Sequence, residues 1–317
     1  MPEKSLSEAQ LQQLIADIKK KKELIALTST FVHDQLHSML SKNKKLARQL
    51  QQNFHPKSSA YKEIIKVVRS QLRRVYGLYR EVEDLKKRKN LLESLKRIPR
   101  FSLAKRKVVI EAILNTSAST KERLQFYPRF YEKIFKIVEE NSKEKLKIEK
   151  ERIEKEGITK PVTFLDLGAG IHPFSLSLVP LHTLTYLAYD LSNDEVLLLQ
   201  DFFDFLHKEN HSFHGKAEVF DVLQFESLLN LPKADIALLL KVTDVLDRGK
   251  GHKVSEYVIS KVPAEFVVVS FSTVTISGKK MNFPRRRWIE WMCARLEYTF
   301  ESFTLGNEFF YVIEKKI

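Results

Sequence analysis

The stretch of this chain best equipped for chemistry is Phe164-Leu165-Asp166-Leu167-Gly168-Ala169-Gly170-Ile171-His172-Pro173. An apolar strand pattern runs into a glycine turn, and Pro173 suits the first turn of a following helix. Glycine lets backbone approach a ligand over the end of a strand, where open α/β sheets bind theirs. Twenty residues after Gly170 a second apolar run ends in Ala188-Tyr189-Asp190, with Leu191 behind it, and a third ends in Val219-Phe220-Asp221. The first acid can accept hydrogen bonds from both hydroxyls of a ribose, and the second from an adenine amino group. No third glycine follows at the dinucleotide spacing, which argues against NAD or FAD. No Gly-Lys-Ser/Thr is present, which excludes a P-loop. A glycine turn with acids after the next two strands predicts an S-adenosylmethionine site, with Asp166, Gly168, Gly170, Asp190, Leu191 and Asp221 as its residues. The alternative is a glycine turn beside two surface aspartates.

Those residues need strands to hold them. From Val162 onward the sequence alternates expected strands (162–167, 184–189, 216–220, 234–240, 266–271 and 309–313) with expected helices, notably 194–207, 252–261 and 286–296. That alternation predicts an α/β domain with a mostly parallel, doubly wound sheet. The region before it reads as helix. Leu11, Leu14, Ile15 and Ile18 recur at helical spacing behind a Ser7/Gln10 capping box. After the break at His55-Pro56, Ser59 is the expected cap of a helix carrying Ile64, Ile65, Val68, Leu72, Val75, Tyr76 and Tyr79. A further helix is expected over 120–157, burying Tyr127, Phe130, Tyr131, Ile134, Phe135 and Val138.

Charge divides the chain earlier, after Asn115. Of the formal +14, residues 1–115 hold 26 basic and 11 acidic side chains and 116–317 hold 28 and 29, so all the excess is N-terminal. A field of that size attracts a polyanion, of which nucleic acid is the commonest in a cell. Lys19, Lys20, Lys21 and Lys22, then Arg69, Arg73 and Arg74, then Lys86, Lys87, Arg88 and Lys89 are the candidate RNA contacts. A further basic run from Arg97 to Lys107 follows, with Pro99 marking a turn. The division expected is 1–115, a basic helical RNA-docking domain, and 116–317, a Rossmann-like domain.

Other features carry less. His207, His211 and His214 have zinc-like spacing but sit where a helix runs into a loop, and no metal site is expected. The single cysteine, Cys293, excludes a disulfide framework and reads as packed and inert. His172 reads as a plain loop histidine. The apolar runs fall far short of the roughly 20 residues of a membrane helix, so a cytoplasmic protein is expected.

Together these residues resemble the aminoglycoside-resistance 16S ribosomal RNA methyltransferases of the Arm/Kgm type, also described as the FmrO family. The likeness rests on Val68–Tyr79, Ile113–Leu124 with its Ser-Thr-Lys-Glu-Arg core, Leu238–Lys241, Val269–Thr273 and Leu305–Val312 with Gly306-Asn307-Glu308. The resemblance implies a helical RNA-docking region ahead of an S-adenosylmethionine-dependent methyltransferase domain. It further implies a monomer that methylates guanine N7 in the small-subunit rRNA. It places Arg123 on the methionine carboxylate, Asp190 on the ribose and Asp221 on the adenine. Lys241, Asp247, Lys279 and Glu308 fall to the target-base side as catalytic candidates. The chain departs from the family pattern at Ser117, Lys121 and Val274. Two alternatives stay open: a non-catalytic ribosome-binding factor that kept the fold, and a methyltransferase with another RNA target.

Overall fold

The capping box starts the first helix. Ser7 N–H donates to Gln10 Oε1 at 2.9 Å, and Gln10 N–H donates to Ser7 Oγ at 3.3 Å. The computed structural model describes residues 6–21, 24–25, 27–76, 82–140, 162–179, 183–247, 251–275 and 279–316, without side chains over 74–83. Lys22, the side chains of Arg74, Val75, Tyr76 and Tyr79, and the expected helix beyond 140 lie outside the described residues. Helix α1 (Glu8–Lys19) buries Leu14, Ile15 and Ile18. They meet Phe31, Val32 and Leu36 of α2 (Ser29–Lys42), Leu46 and Leu50 of α3 (Lys44–Gln52), and Ile64, Val68 and Leu72 of α4 (Ser59–Tyr76) in one apolar core. The cap of α4 is Ser58, not the expected Ser59: Ser58 Oγ accepts the Tyr61 N–H at 3.2 Å.

Two compact units result, residues 1–86 with 191–194, and residues 87–190 with 195–317. The boundary between these compact units falls after Lys86, and most of α5 (Val82–Lys96) and all of α6 (Leu103–Leu114) group with the second unit, to which charge ties them. From Arg88 onward, side chains reach the helix Asn193–Glu209: Arg88 pairs with Glu195, Lys96 with Asp201 at 2.7 Å, and Arg106 with Glu209. Helix α7 (Ala118–Arg123) and α8 (127–140) follow, separated by a turn at 124–126 that interrupts the single helix expected there.

The second unit is built on a seven-stranded sheet of order β3-β2-β1-β4-β5-β7-β6. Strands β1 (Val162–Leu167), β2 (Leu184–Asp190), β3 (Phe213–Val219), β4 (Ala234–Leu240) and β5 (Ala264–Ser272) run parallel. β7 (Glu308–Glu314) is antiparallel between β5 and β6 (Thr299–Leu305). The strands carry buried residues on both faces, the signature of a sheet covered by helices on each side. Those helices include α9 (Asn193–Glu209), α10 (Phe225–Leu229), α11 (Thr243–Leu246), α12 (Lys253–Lys261) and α13 (Arg287–Leu296). Two strand readings change. β3 begins three residues before its expected start, where His214 and Gly215 interrupt the apolar pattern yet pair with Thr185 and Tyr186. β6 was not expected, being an edge strand whose Thr299, Glu301, Ser302 and Thr304 face solvent.

Candidate active site

β1 delivers the chain to Gly168, at φ +77°, and Gly170, at φ +51°, both in the left-handed region that disfavours any side chain. A Cβ on Gly168 would stand 2.8 Å from Val242 Cγ2, whereas a Cβ on Gly170 would meet nothing within 4 Å. The Gly168 and Ala169 N–H groups donate to the Tyr189 carbonyl at 2.8 and 3.0 Å. The Gly170 N–H donates to Asp190 Oδ2 at 2.9 Å. The loop after β1 is thereby fastened to the end of β2, with open space beyond Gly170. Asp221, just past β3, is buried and accepts the Leu223 N–H at 2.9 Å. The structure brings Gly168, Gly170, Asp190 and Asp221 together at the carboxyl ends of three adjacent parallel strands, where such sheets bind ligands. Leu191 falls elsewhere and packs against the apolar core of the N-terminal unit.

Asp166 and His172 form a buried pair that the sequence hid. His172 is 3% exposed, and its Nδ1 lies 3.0 Å from Asp166 Oδ2, so it is not the plain loop histidine expected. The Tyr186 hydroxyl donates to the same Asp166 oxygen at 2.8 Å. Burial, with the Asp166 carboxylate beside it, pushes the Tyr186 hydroxyl well above the usual phenol range and keeps it a donor. Residues at both ends of the glycine loop are therefore clamped together, and Asp166 faces inward. The segment after it is a 3-10 helix (His172–Leu178) with Pro173 in its first turn.

A second cluster stands at the ends of β4 and β7. Arg123, the last residue of α7, donates Nε and Nη2 to Glu308 Oε2 and Oε1 at 2.8 and 2.7 Å. Both side chains are 2% exposed. Burial works to raise the Glu308 carboxyl, but the Arg123 guanidinium overrides it and holds the group below its ordinary range. Burial likewise disfavours the Arg123 charge, and Glu308 more than compensates. Lys241 follows β4 with φ +60°, a strained setting for a lysine, secured by its N–H on Ser270 Oγ at 3.0 Å. Its Nζ pairs with Glu122 and lies 3.8 Å from Glu308 Oε2. Two cations and two carboxylates are thus interleaved. Beside them the buried Tyr127 hydroxyl has no hydrogen-bond partner among the described residues. Glu122, Tyr127, His172 and Ser270 are the residues that sequence reasoning missed. Glu122 and Ser270 gain meaning from Lys241, 119 and 29 positions away, and His172 and Tyr127 from being buried.

The remaining candidates scatter. Asp247 accepts the Ser255 N–H at 3.1 Å and faces His252, so its carboxylate caps α12. Lys279 is exposed, and its N–H donates to Thr275 Oγ1 at 3.1 Å. Arg88 is withdrawn from the RNA surface: it is 2% exposed, and Glu195 and Thr116 take up its guanidinium. Lys86, Lys87 and Lys89 are exposed on the same helix. In the N-terminal unit Lys20, Lys21, Arg69 and Arg73, joined by Lys62 and Lys66, line a cavity of 510 Å³. Arg69 also donates to the Asp17 and Ile18 carbonyls at 2.6 and 3.2 Å, closing the end of α1. Lys19 is half-buried on that helix.

A parallel sheet with a final antiparallel hairpin, carrying a glycine corner and acids after β2 and β3, defines a Rossmann-like methyltransferase domain. Residues 156–312 match the family described as ribosomal RNA methyltransferase (FmrO), and through this segment the chain belongs to that family. The crystal structure of the 16S rRNA methyltransferase RmtF in complex with S-adenosyl-L-homocysteine superposes with a TM-score of 0.69 at 21% identity, covering 98% of this chain and 100% of that one. The 16S rRNA methylase RmtB gives 0.64 at 20% identity, covering 96% and 98%. An rRNA methylase from Escherichia coli gives 0.62 at 19%, covering 96% and 100%. At these identities the likeness is one of fold. No curated protein matches the sequence.

Proposed function

We propose that this rRNA methyltransferase takes a methyl group from S-adenosylmethionine and places it on guanine N7 in the RNA of the small ribosomal subunit. The observation that carries the reading is the corner at Gly170, whose N–H is fixed on Asp190 while its Cα opens onto empty space. A nucleoside can lie there against bare backbone, with Asp190 accepting from its ribose and Asp221 from its adenine amino group. Arg123 is assigned to the methionine carboxylate through Nη1, the edge that Glu308 does not use. The unpartnered Tyr127 hydroxyl offers a further polar contact at that end.

The bound cofactor supplies a methyl group on a positively charged sulfur, already activated for displacement. The protein must supply position and charge. Guanine N7 has an in-plane lone pair and carries no proton, so no general base is required, and catalysis reduces to orientation and electrostatics. Glu308, kept ionised by Arg123, favours the cationic methylated purine. Lys241, aimed by its left-handed backbone and held between Glu122 and Glu308, orients the base or its phosphate. Asp247 holds α12 in place, and Lys279 is an exposed cation on the RNA side. Lys19, Lys20, Lys21, Arg69, Arg73, Lys86, Lys87 and Lys89 supply phosphate contacts, four of them (Lys20, Lys21, Arg69 and Arg73) around the 510 Å³ cavity.

A labelled-methyl assay on small subunits and on naked rRNA, with nucleoside mass analysis, tests the reading. Methylated guanosine at N7 is the expected product. Lys241→Ala should lower turnover about 10–100-fold with little change in cofactor affinity. Cofactor binding without transfer to either RNA would identify a non-catalytic binding factor instead.

A further inference from the structure

The basic run from Arg97 to Lys107 plays no part in the site above, and its surroundings suit a ligand. Pro99 follows α5, and Ser102 leads into α6, so the turn between them presents Arg97, Arg100 and an 86% exposed Phe101 to solvent. Leu103, Lys107, Ile110 and Glu111 line one side of an open cleft of 990 Å³. Its other walls come from α7 and the residues after it, from the end of the 3-10 turn, and from α9: Lys121, Leu124, Val179 and Phe205 among them. All of these lie in the second compact unit. Arg106 is used internally, paired with Glu209 and stacked 5.2 Å from the Phe205 ring centre. Glu111 reaches Lys107 only at 3.8 Å. Among the described residues Arg97, Arg100, Lys105 and Lys121 form no ion pair.

We propose that this cleft is a second RNA site, which receives one unpaired nucleotide of the substrate. The base lies against Leu103, Leu124 and Val179, and the flanking phosphates lie on Arg100, Lys107 and Lys121. This rests on the rRNA reading for its ligand class and adds a site to it. The charge decides the occupant. Glu209 is neutralised by Arg106, and Glu111 has Lys107 at only 3.8 Å, which leaves Arg100 and Lys121 unpaired among the described residues and Lys107 loosely held beside Leu103, Leu124 and Val179. An acidic polymer with flat apolar faces meets both surfaces, whereas an apolar helix would leave the cations bare. Cations that follow a backbone, with apolar or aromatic side chains that take the bases, are the recurring means of holding single-stranded RNA. The volume is of the size used by compact ligand sites. Phe101, between two residues that flank the cleft in the chain, adds an exposed ring for a neighbouring base.

The test uses the full chain and naked small-subunit rRNA, with affinity measured against salt. Arg100→Ala/Lys107→Ala/Lys121→Ala should weaken binding at least about tenfold, and should flatten the slope of log K against log salt by about 2–3, one unit per phosphate lost. Phe101→Ala should weaken binding about fivefold with the slope unchanged, because stacking releases no counterions. Cofactor affinity and melting temperature should stay at wild-type values in both. Wild-type RNA affinity and slope in the triple variant would overturn the cleft while leaving the rRNA reading intact. Loss confined to assembled subunits, with naked RNA bound normally, would overturn it in favour of a protein contact. Failure of the wild type to bind rRNA would remove both readings together.

Discussion

Glu308→Gln is the sharpest perturbation the site allows. The substitution keeps the shape and removes the charge, leaving the Arg123 guanidinium 2% exposed and without its counter-ion. Two hydrogen bonds of 2.8 and 2.7 Å, both charge-assisted, are weakened at once. Breaking one partner of a buried pair costs about 3–5 kcal/mol, because the other charge stays desolvated. For a domain of this size each kcal/mol moves the melting temperature roughly 2–4 °C, so a fall of roughly 6–20 °C is expected, the amide placing it toward the lower end. The pH dependence has a definite sign. Glu308 is held below its ordinary value, so its stabilisation is complete above the unfolded carboxyl pKa of about 4.3 and is lost as pH falls through the folded value. The stability gap between wild type and variant should therefore be constant from pH 5 to 7, on the order of those figures, and should close in stronger acid. Urea unfolding of the wild type, Glu308→Gln, Arg123→Met and the Arg123→Met/Glu308→Leu double variant measures it. The double variant should lie within about 2 kcal/mol of wild type, since an apolar pair of similar volume replaces the ion pair. A cost below about 1 kcal/mol for Glu308→Gln, or simple additivity in the double variant, would refute the argument.

Four further outcomes are expected. Asp190→Ala should weaken S-adenosylmethionine by about 1–3 kcal/mol in calorimetry, because a charged acceptor for sugar hydroxyls is lost. Gly170→Ala should also weaken it while costing less stability than Gly168→Ala, whose Cβ meets Val242 at 2.8 Å; equal stability of the two would contradict the packing. Arg88→Ala should cost about 3–5 kcal/mol in urea unfolding and leave the salt slope of RNA binding unchanged, since its charge is spent on Glu195. Lys315 donates to the Ser260 carbonyl at 3.2 Å, and burial draws its ammonium down to about 8. The folded state gives up that proton before the unfolded chain does, near 10.4, so wild-type stability should rise between about pH 8 and 10 relative to Lys315→Met; parallel urea midpoints would exclude this.

The sequence by itself determined most of the elements and the glycine corner after β1. Strand periodicity, the glycine pair and the acids at 190 and 221 are local patterns, and each follows from backbone sterics or from alternation within a few residues. The cap at Ser7 is legible for the same reason. Charge counting likewise found the basic region, because net charge is a sum that needs no coordinates. Only the tertiary structure decided which of those charges are available. Arg88 and Lys89 look alike in a run of four cations, yet one turns inward to Glu195 while the other stays exposed. The compact units divide at Lys86 because of pairs more than a hundred residues apart, such as Arg88–Glu195 and Lys96–Asp201. The same holds for Arg123 and Glu308, which are 185 positions apart in sequence and 2.7 Å apart in space. No window of sequence contains such a pair. It exists because β7 returns antiparallel beside β5 and brings its first residue back to the strand ends where α7 finishes.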